Sequence, residues 1–321
     1  MNVLCLNGFS IFPLEKIEWG EKLGEGAGGR VFKCQYNKQD YAVKEYKSCD
    51  WDKMYGVSSV EKMIKDIEYE LIISGKLIGL DKSVQVKGVS VDSLNNQIKS
   101  IFIFMEFLSS IGDFHDYLQN EELWIPSRKY DKTMVPSLLS NYVTYNPEEN
   151  IYWSFSLSKA YKHKIGVMMI EAMKEIHSRG VIHCDMKPEN MVFHNSNTNY
   201  GVLKFIDFGA SHIATSNSLF TIDWIPGTEG YRAPEQDIKQ VGYKSDVYSI
   251  GVCLIELWSG EIWMKCSGFK VCRNEVLKNL RKIEKEDIEL GKLLRKCISL
   301  DYNNRPSGVM LLKKFTEIIQ E

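Results

Sequence analysis

From about residue 15 to residue 107 the chain alternates short apolar runs with turn-forming residues. The runs 31–36 and 41–46 flank Asn37-Lys38-Gln39-Asp40, a pattern that predicts a hairpin, and further strands are predicted near 84–91 and 99–106. One stretch breaks this rhythm. Val60, Met63, Ile64, Ile67, Leu71 and Leu77 recur close to every 3.6 residues, which predicts a single helix over 60–77. Past Leu108 the pattern turns helical, with long amphipathic or apolar stretches over 159–178, 244–259 and 287–299. The expected fold class is α+β: a small N-terminal antiparallel β lobe with one main helix, then a larger, mainly helical C-terminal lobe. The expected boundaries are an N-terminal extension over 1–14, the first lobe over 15–107 and the second over 108–321.

Within the second lobe, residues 119–157 are long for a helix connection and rich in Pro, Asn, Ser and Tyr, so they read as an insertion. Its aromatics Trp124, Tyr142, Tyr145, Tyr152 and Trp153 either pack onto their own lobe or form a surface for a docking partner.

Composition narrows the function classes. Hydrophobic residues make up 44% and charged residues 26%, and Gly and Pro number only 23 and 8, so collagen-like and wholly disordered readings fail. Forty Lys and Arg against 42 Asp and Glu leave a charge of −2, with no bulk attraction to nucleic acid or an anionic membrane. Basic residues over 270–296 alternate with acidic ones and read as a solvated helix face. The eight cysteines show no C-x-x-C spacing, which fits reduced thiols in the cytoplasm. The apolar start Met1-Asn2-Val3-Leu4 lacks a preceding basic residue, so no signal peptide is expected, and no apolar stretch is long enough to span a bilayer.

Candidate chemistry begins at Gly24-Glu25-Gly26-Ala27-Gly28-Gly29-Arg30-Val31, where residues lacking side chains would let backbone amides approach phosphate oxygens. A dinucleotide-binding loop shares this spacing but leads into a helix, whereas the residues after Val31 read as a strand. Thirteen residues further on, Lys44 ends an apolar run, and a carboxylate is needed to position it. Glu70 and Glu68 are the candidates, and Glu70 is favoured because Ile67, Ile73 and Leu77 share its helix face. Taken alone, these could be a surface lysine beside a surface glutamate.

His183-Cys184-Asp185-Met186-Lys187-Pro188-Glu189-Asn190 and Asp207-Phe208-Gly209 follow in order. Together with the glycine loop and Lys44 they resemble the eukaryotic-type serine/threonine protein kinase signature set. The resemblance continues through Ala233-Pro234-Glu235, Ser245-Asp246-Val247-Tyr248 and Asn304-Arg305-Pro306, and so covers nearly all of the chain from Gly24 onward.

The resemblance implies a two-lobed kinase fold using ATP and Mg²⁺ to phosphorylate Ser or Thr of protein substrates. Asp207 and Asn190 would be the metal ligands, Asp185 would orient the acceptor hydroxyl and take its proton, and Lys187 would sit against the γ-phosphate. Lys44, held by Glu70, would meet the α- and β-phosphates under the loop formed by Gly24, Glu25, Gly26, Ala27, Gly28, Gly29 and Arg30. Leu23, Val31 and Ala42 would enclose the adenine, the backbone from Glu106 to Leu108 would bond its edge, and Met105 would stand behind it. Lys187 and the stretch 227–232 resemble the serine/threonine branch, with the Thr228 hydroxyl supporting Asp185 and Lys187. Asp246, His183 and the pair Glu235 and Arg305 are expected to be structural.

Three departures stand out. Cys184 replaces the arginine that binds a phosphate on the activation segment, so phosphorylation at Ser211, Thr215, Ser216, Ser218 or Thr221 is not expected to be an obligatory switch. Gly28 stands where the loop tip is often aromatic, and Ser74 replaces an apolar residue one turn beyond Glu70. The alternative functions are a pseudokinase or scaffold that binds nucleotide without efficient transfer, and a small-molecule kinase of similar fold. Intact Lys44, Asp185, Asn190 and Asp207 weigh against the first, and the complete 227–235 segment against the second.

Overall fold

The computed structural model describes residues 9–26, 29–55, 59–95, 97–108, 144–146, 151–154, 159–194, 202–216, 218–262 and 269–318. Its contacts divide the chain into two units, Met1–Ser109 and Ser110–Glu321. The first is built on a six-stranded sheet of β1 (Ser10–Ile11), β2 (Glu18–Gly26), β3 (Gly29–Tyr36), β4 (Gln39–Lys47), β5 (Val86–Leu94) and β6 (Gln97–Glu106). Their order is β1-β5-β6-β4-β3-β2, antiparallel except where β1 runs parallel to β5. Two helices accompany the sheet, α1 (Ser48–Tyr55) and α2 (Ser59–Lys76).

Residues 37 and 38 make the hairpin turn between β3 and β4, with Tyr36 opposite Gln39. Asn37 and Lys38 take φ of 51° and 63°, the left-handed pair that a two-residue turn requires to match strand twist. Along β4 the period of two sends alternate side chains to opposite faces. Tyr46, with Val89, Ile101 and Ile103, packs on Met63, Ile67 and Leu71 of α2, while Tyr41 and Val43 join Ile17, Cys34, Phe102 and Phe104 on the other side.

The described part of the expected extension, residues 9–14, contributes to both of these cores. Phe9 joins the α2 cluster, and Phe12 stacks on Phe104 with ring centres 4.3 Å apart. The Phe12 amide donates to Val89 O at 3.1 Å, and the Ser90 hydroxyl donates to Phe12 O. Alternation from residue 15 onward gives no hint of this two-residue strand. α1 is likewise absent from the expected elements, since Ser48-Cys49-Asp50-Trp51-Asp52-Lys53 carries no apolar period.

The second unit carries α3 (Lys159–Ser178), α4 (Tyr243–Ser259), α5 (Phe269–Glu286), α6 (Ile288–Cys297) and α7 (Gly308–Glu317). α4 is buried on every side from Ser245 to Leu257. Asp287 caps α6 by accepting from the Leu290 amide at 3.0 Å, and Ser307 caps α7 through Met310. Short strands run between the helices: β7 (Thr144–Asn146), β8 (Ile151–Ser154), β9 (Val181–Ile182), β10 (Met191–His194), β11 (Val202–Phe205), β12 (His212–Ile213), β13 (Phe220–Thr221), β14 (Gln240–Val241) and β15 (Glu261–Ile262). β7 and β8 belong to the insertion, and β8 pairs with β15, which ties that end of the insertion to the strand following α4. Residues 119–143 of the insertion, with Trp124 and Tyr142, lie outside the described residues.

Candidate active site

In the first unit Lys44 on β4 places its Nζ 3.2 Å from Glu70 Oε1 and 3.5 Å from Oε2. Both groups are buried, at 5% and 9% exposure. The carboxylate that faces Lys44 is thus Glu70, and Glu68 lies two positions away at the partly exposed margin of α2. Ser74, the departure noted one turn beyond, is satisfied within the helix by donating to the Glu70 carbonyl at 2.8 Å.

At the glycine loop Gly26 pairs with Gly29, and Ala27 and Gly28 lie outside the described residues. A Cβ at Gly29, whose φ is +128°, would collide with the Glu45 carbonyl, so only glycine fits there. Gly24 is different: among the described residues nothing lies within 4 Å of a Cβ built on it. Glu25 pairs with Lys22, whose ammonium holds the Glu25 carboxyl below its ordinary range, and Arg30 pairs with Asp50 at 3.0 Å. Leu23 is exposed, whereas Val31 and Ala42 are half-buried on neighbouring strands. Met105 lies directly opposite Ala42. The Glu106 amide donates to Gln85 O at 2.9 Å, while Leu108, two residues on, is half-buried.

In the second unit three side chains converge on Asp185. Thr228 Oγ1 donates to Asp185 Oδ1 at 2.7 Å, Asn190 Nδ2 donates to Oδ2 at 3.0 Å, and Lys187 Nζ lies 3.2 Å from Oδ2. Lys187 also donates to Thr228 Oγ1 at 2.6 Å, so the threonine hydroxyl accepts from the lysine and donates to the aspartate. Met191 pairs with Phe205, and the Ile206 amide donates to Asn190 O at 2.9 Å, so the β10–β11 hairpin delivers Asn190 and Asp207 at one end.

The backbone carrying these groups is strained and held. Cys184 and Asp207 adopt φ of 65° and 59°, a region costly for side chains with a Cβ. Asp246, wholly buried on α4, accepts from the His183 and Cys184 amides at 2.8 Å each, and its Oδ2 lies 2.8 Å from His177 Nε2. His183 is also buried, with Nε2 3.1 Å from Ile206 O and Nδ1 accepting from the Asp185 amide at 3.3 Å; a ring protonated on Nε2 satisfies both. Burial among apolar neighbours pushes the Cys184 thiol well above its usual range.

Further residues hold the 183–190 loop, and the first of them carries no sequence signal of its own. Gln236, fully buried, donates to Cys184 O at 2.8 Å and Pro226 O at 3.2 Å, and so ties the 183–190 loop to the 226–236 segment. Gly227 runs so close to the loop that a Cβ there would sit 2.5 Å from Cys184 O. Ser211, one of the five hydroxyls whose phosphorylation is not expected to be an obligatory switch, is buried and donates to His183 O at 3.1 Å. Ile222 packs with Ile182, Cys184 and Val241, so the Cys184 side of the 183–190 loop meets the 208–232 stretch through an apolar contact.

Among the described residues, no helix is long and apolar enough to cross a membrane, and no group of three or more His, Cys, Asp or Glu could hold a metal unaided.

Comparison with known proteins gives these geometries a family. Residues 17–319 match the protein kinase domain. The chain is 23% identical over 92% of its length to a probable serine/threonine-protein kinase of Dictyostelium discoideum. It is 26% identical over 91% to a putative mitogen-activated protein kinase kinase kinase 7-like protein of Drosophila melanogaster, and 30% identical over 75% to calcium-dependent protein kinase 4 of Solanum tuberosum. It spans 19%, 64% and 35% of those relatives' lengths, respectively. The motifs from Gly24 to Arg305 and the match over almost the whole chain lead to one conclusion: the chain belongs to the protein kinase family.

Proposed function

We propose that the chain transfers the γ-phosphoryl group of ATP, with Mg²⁺, to serine and threonine hydroxyls of protein substrates. The observation that carries this reading is the convergence of Lys187, Asn190 and Thr228 on Asp185. Phosphoryl transfer asks for aligned reactants and neutralised charge rather than covalent help from the enzyme. An acceptor hydroxyl set against Asp185 would be aligned by it and lose its proton to it as the new phosphoester bond forms. Lys187, anchored by Thr228, would balance charge on the transferred group, and Lys44, fixed by Glu70, would bind the remaining phosphates.

The residues present fit the cation. Asn190 spends its Nδ2 on Asp185, so Oδ1 is the atom it would offer a cation, and Asp207 arrives at the same end of the hairpin. Two hard oxygens with phosphate completing the shell suit Mg²⁺. Bound there, it would neutralise phosphate charge as the leaving oxygen departs. Gly24 would suit the phosphates in turn, since among the described residues nothing lies within 4 Å of a Cβ built on it. We further take residues 15–107 and 108–321 as the two lobes of this kinase, with 119–157 inserted in the second.

The test is transfer of labelled phosphate from ATP with Mg²⁺ to the chain itself and to basic protein substrates, followed by phosphoamino-acid analysis. Phosphoserine or phosphothreonine is expected, reduced about 10²-fold or more in Asp185→Ala and Asp207→Ala. Undiminished transfer in Asp185→Ala, or phosphotyrosine alone, would overturn the reading. Nucleotide binding with no transfer to any substrate would mean a scaffold instead.

A further inference from the structure

We propose that Tyr46 is a positioning residue that holds Glu70 in place for Lys44, an inference resting on the phosphoryl-transfer reading of that pair. Tyr46 lies two residues beyond Lys44 on β4, so both side chains leave the same face of the strand, toward α2. The Tyr46 hydroxyl donates to Glu70 Oε2, while Lys44 Nζ approaches Oε1 at 3.2 Å. The lysine ammonium also lies 5.0 Å from the centre of the Tyr46 ring. One strand therefore grips both oxygens of a carboxylate carried by the helix.

The grip is rigid because of where the phenol sits. The residue is 3% exposed, its ring packs among Phe9, Met63, Ile67 and Leu71, and two torsions suffice to fix its direction. A tyrosine buried so deeply needs a partner for its hydroxyl, and Glu70 supplies it. Lysine and glutamate alone would be two long side chains, each losing considerable rotamer freedom to meet. With one carboxylate oxygen already held, the pair forms without a separate ordering step, and the turn of α2 that bears Glu70 is tied to the sheet. A tyrosine that only filled the core would work as well without its hydroxyl.

Tyr46→Phe removes that hydroxyl and keeps the ring. The full chain is compared with this variant by steady-state kinetics and by hydrogen exchange along α2, with Tyr41→Phe as the control; the Tyr41 hydroxyl donates to Gln39 on the opposite face of the same strand. Loss of a bond to a charged group predicts a fall of about tenfold in kcat, with KM for the protein substrate within about twofold. Exchange over 67–74 should rise, and the control should match wild type in both respects. In a Glu70→Ala background, Tyr46→Phe should change neither quantity further, because the two residues act as one.

Glu70→Gln, which keeps an acceptor oxygen for Tyr46 while removing the charge, should preserve the protection of α2 that Glu70→Ala loses. Wild-type kcat and exchange in Tyr46→Phe would overturn the proposal, and so would effects that multiply independently in the Glu70→Ala background. Wild-type transfer in Glu70→Ala would instead overturn the reading of the Lys44 pair. The exchange comparison needs no catalysis and would still decide whether Tyr46 holds Glu70.

Discussion

Replacing Arg305 by methionine should be among the most damaging single changes in the second unit. The guanidinium is wholly buried and grips Glu235 with two bonds, Nη1 to Oε1 at 2.7 Å and Nη2 to Oε2 at 2.8 Å. It also donates to Ser299 O at 2.8 Å and Lys244 O at 2.9 Å, and lies 5.0 Å from the Tyr248 ring centre. In Arg305→Met the Glu235 carboxylate, itself 7% exposed, keeps only the Ser245 hydroxyl at 2.7 Å among these partners. Breaking a buried pair from one side costs about 3–5 kcal/mol, because a desolvated charge is left behind. For a unit of this size about 2–4 °C of melting temperature follows each kcal/mol, so a fall of roughly 6–20 °C is expected. Differential scanning calorimetry and urea midpoints on the full chain measure it. Removing both charges, in Glu235→Met with Arg305→Met, should restore most of the loss, since apolar replacement of a whole buried pair is often neutral. A loss below about 1 kcal/mol for Arg305→Met, or a double variant as unstable as the sum of the singles, would refute the assignment of the cost to an uncompensated charge.

Other outcomes follow from the same geometry. Thr228→Val keeps the shape but removes the hydroxyl shared by Lys187 and Asp185, so kcat should fall about 10–100-fold with melting temperature nearly unchanged, as steady-state kinetics and a thermal melt would record. Alanine at Thr215, Ser216, Ser218 and Thr221 together should leave transfer intact, because Ile222 and Cys184 meet through apolar packing; loss of activity restored by acidic substitutions would refute this. Burial lowers the His212 imidazole below its ordinary value, against an opposing pull from Asp223. The unfolded chain then takes up the proton first, so stability present above about pH 6.5 declines as pH falls through the lower folded value. His212→Gln should flatten the slope of urea midpoint against pH between 7.5 and 5.5; an unchanged slope would place the titration elsewhere.

Periodicity carries α3 over Lys159–Ser178 without error, because a twenty-residue amphipathic pattern has no competing interpretation. α1 and the short β1 strand escape it, one for lack of an apolar face and the other because two residues define no period. The same division runs through the site. Asp246 is legible because a carboxylate inside a helix that is apolar all round must have partners, and its partners prove to be the two loop amides and His177. Gln236 performs a related task for the Cys184 carbonyl, yet it sits in a short 3-10 helix, Pro234–Ile238, where glutamine is unremarked, and its partner is 52 residues away. Tyr46 reads as one more aromatic in a strand, since nothing local relates its hydroxyl to a glutamate 24 positions on. A polar residue announces its role only where its neighbours in sequence make burial certain. Elsewhere the fold must first supply the burial, and the hydrogen bond that answers it becomes visible in three dimensions.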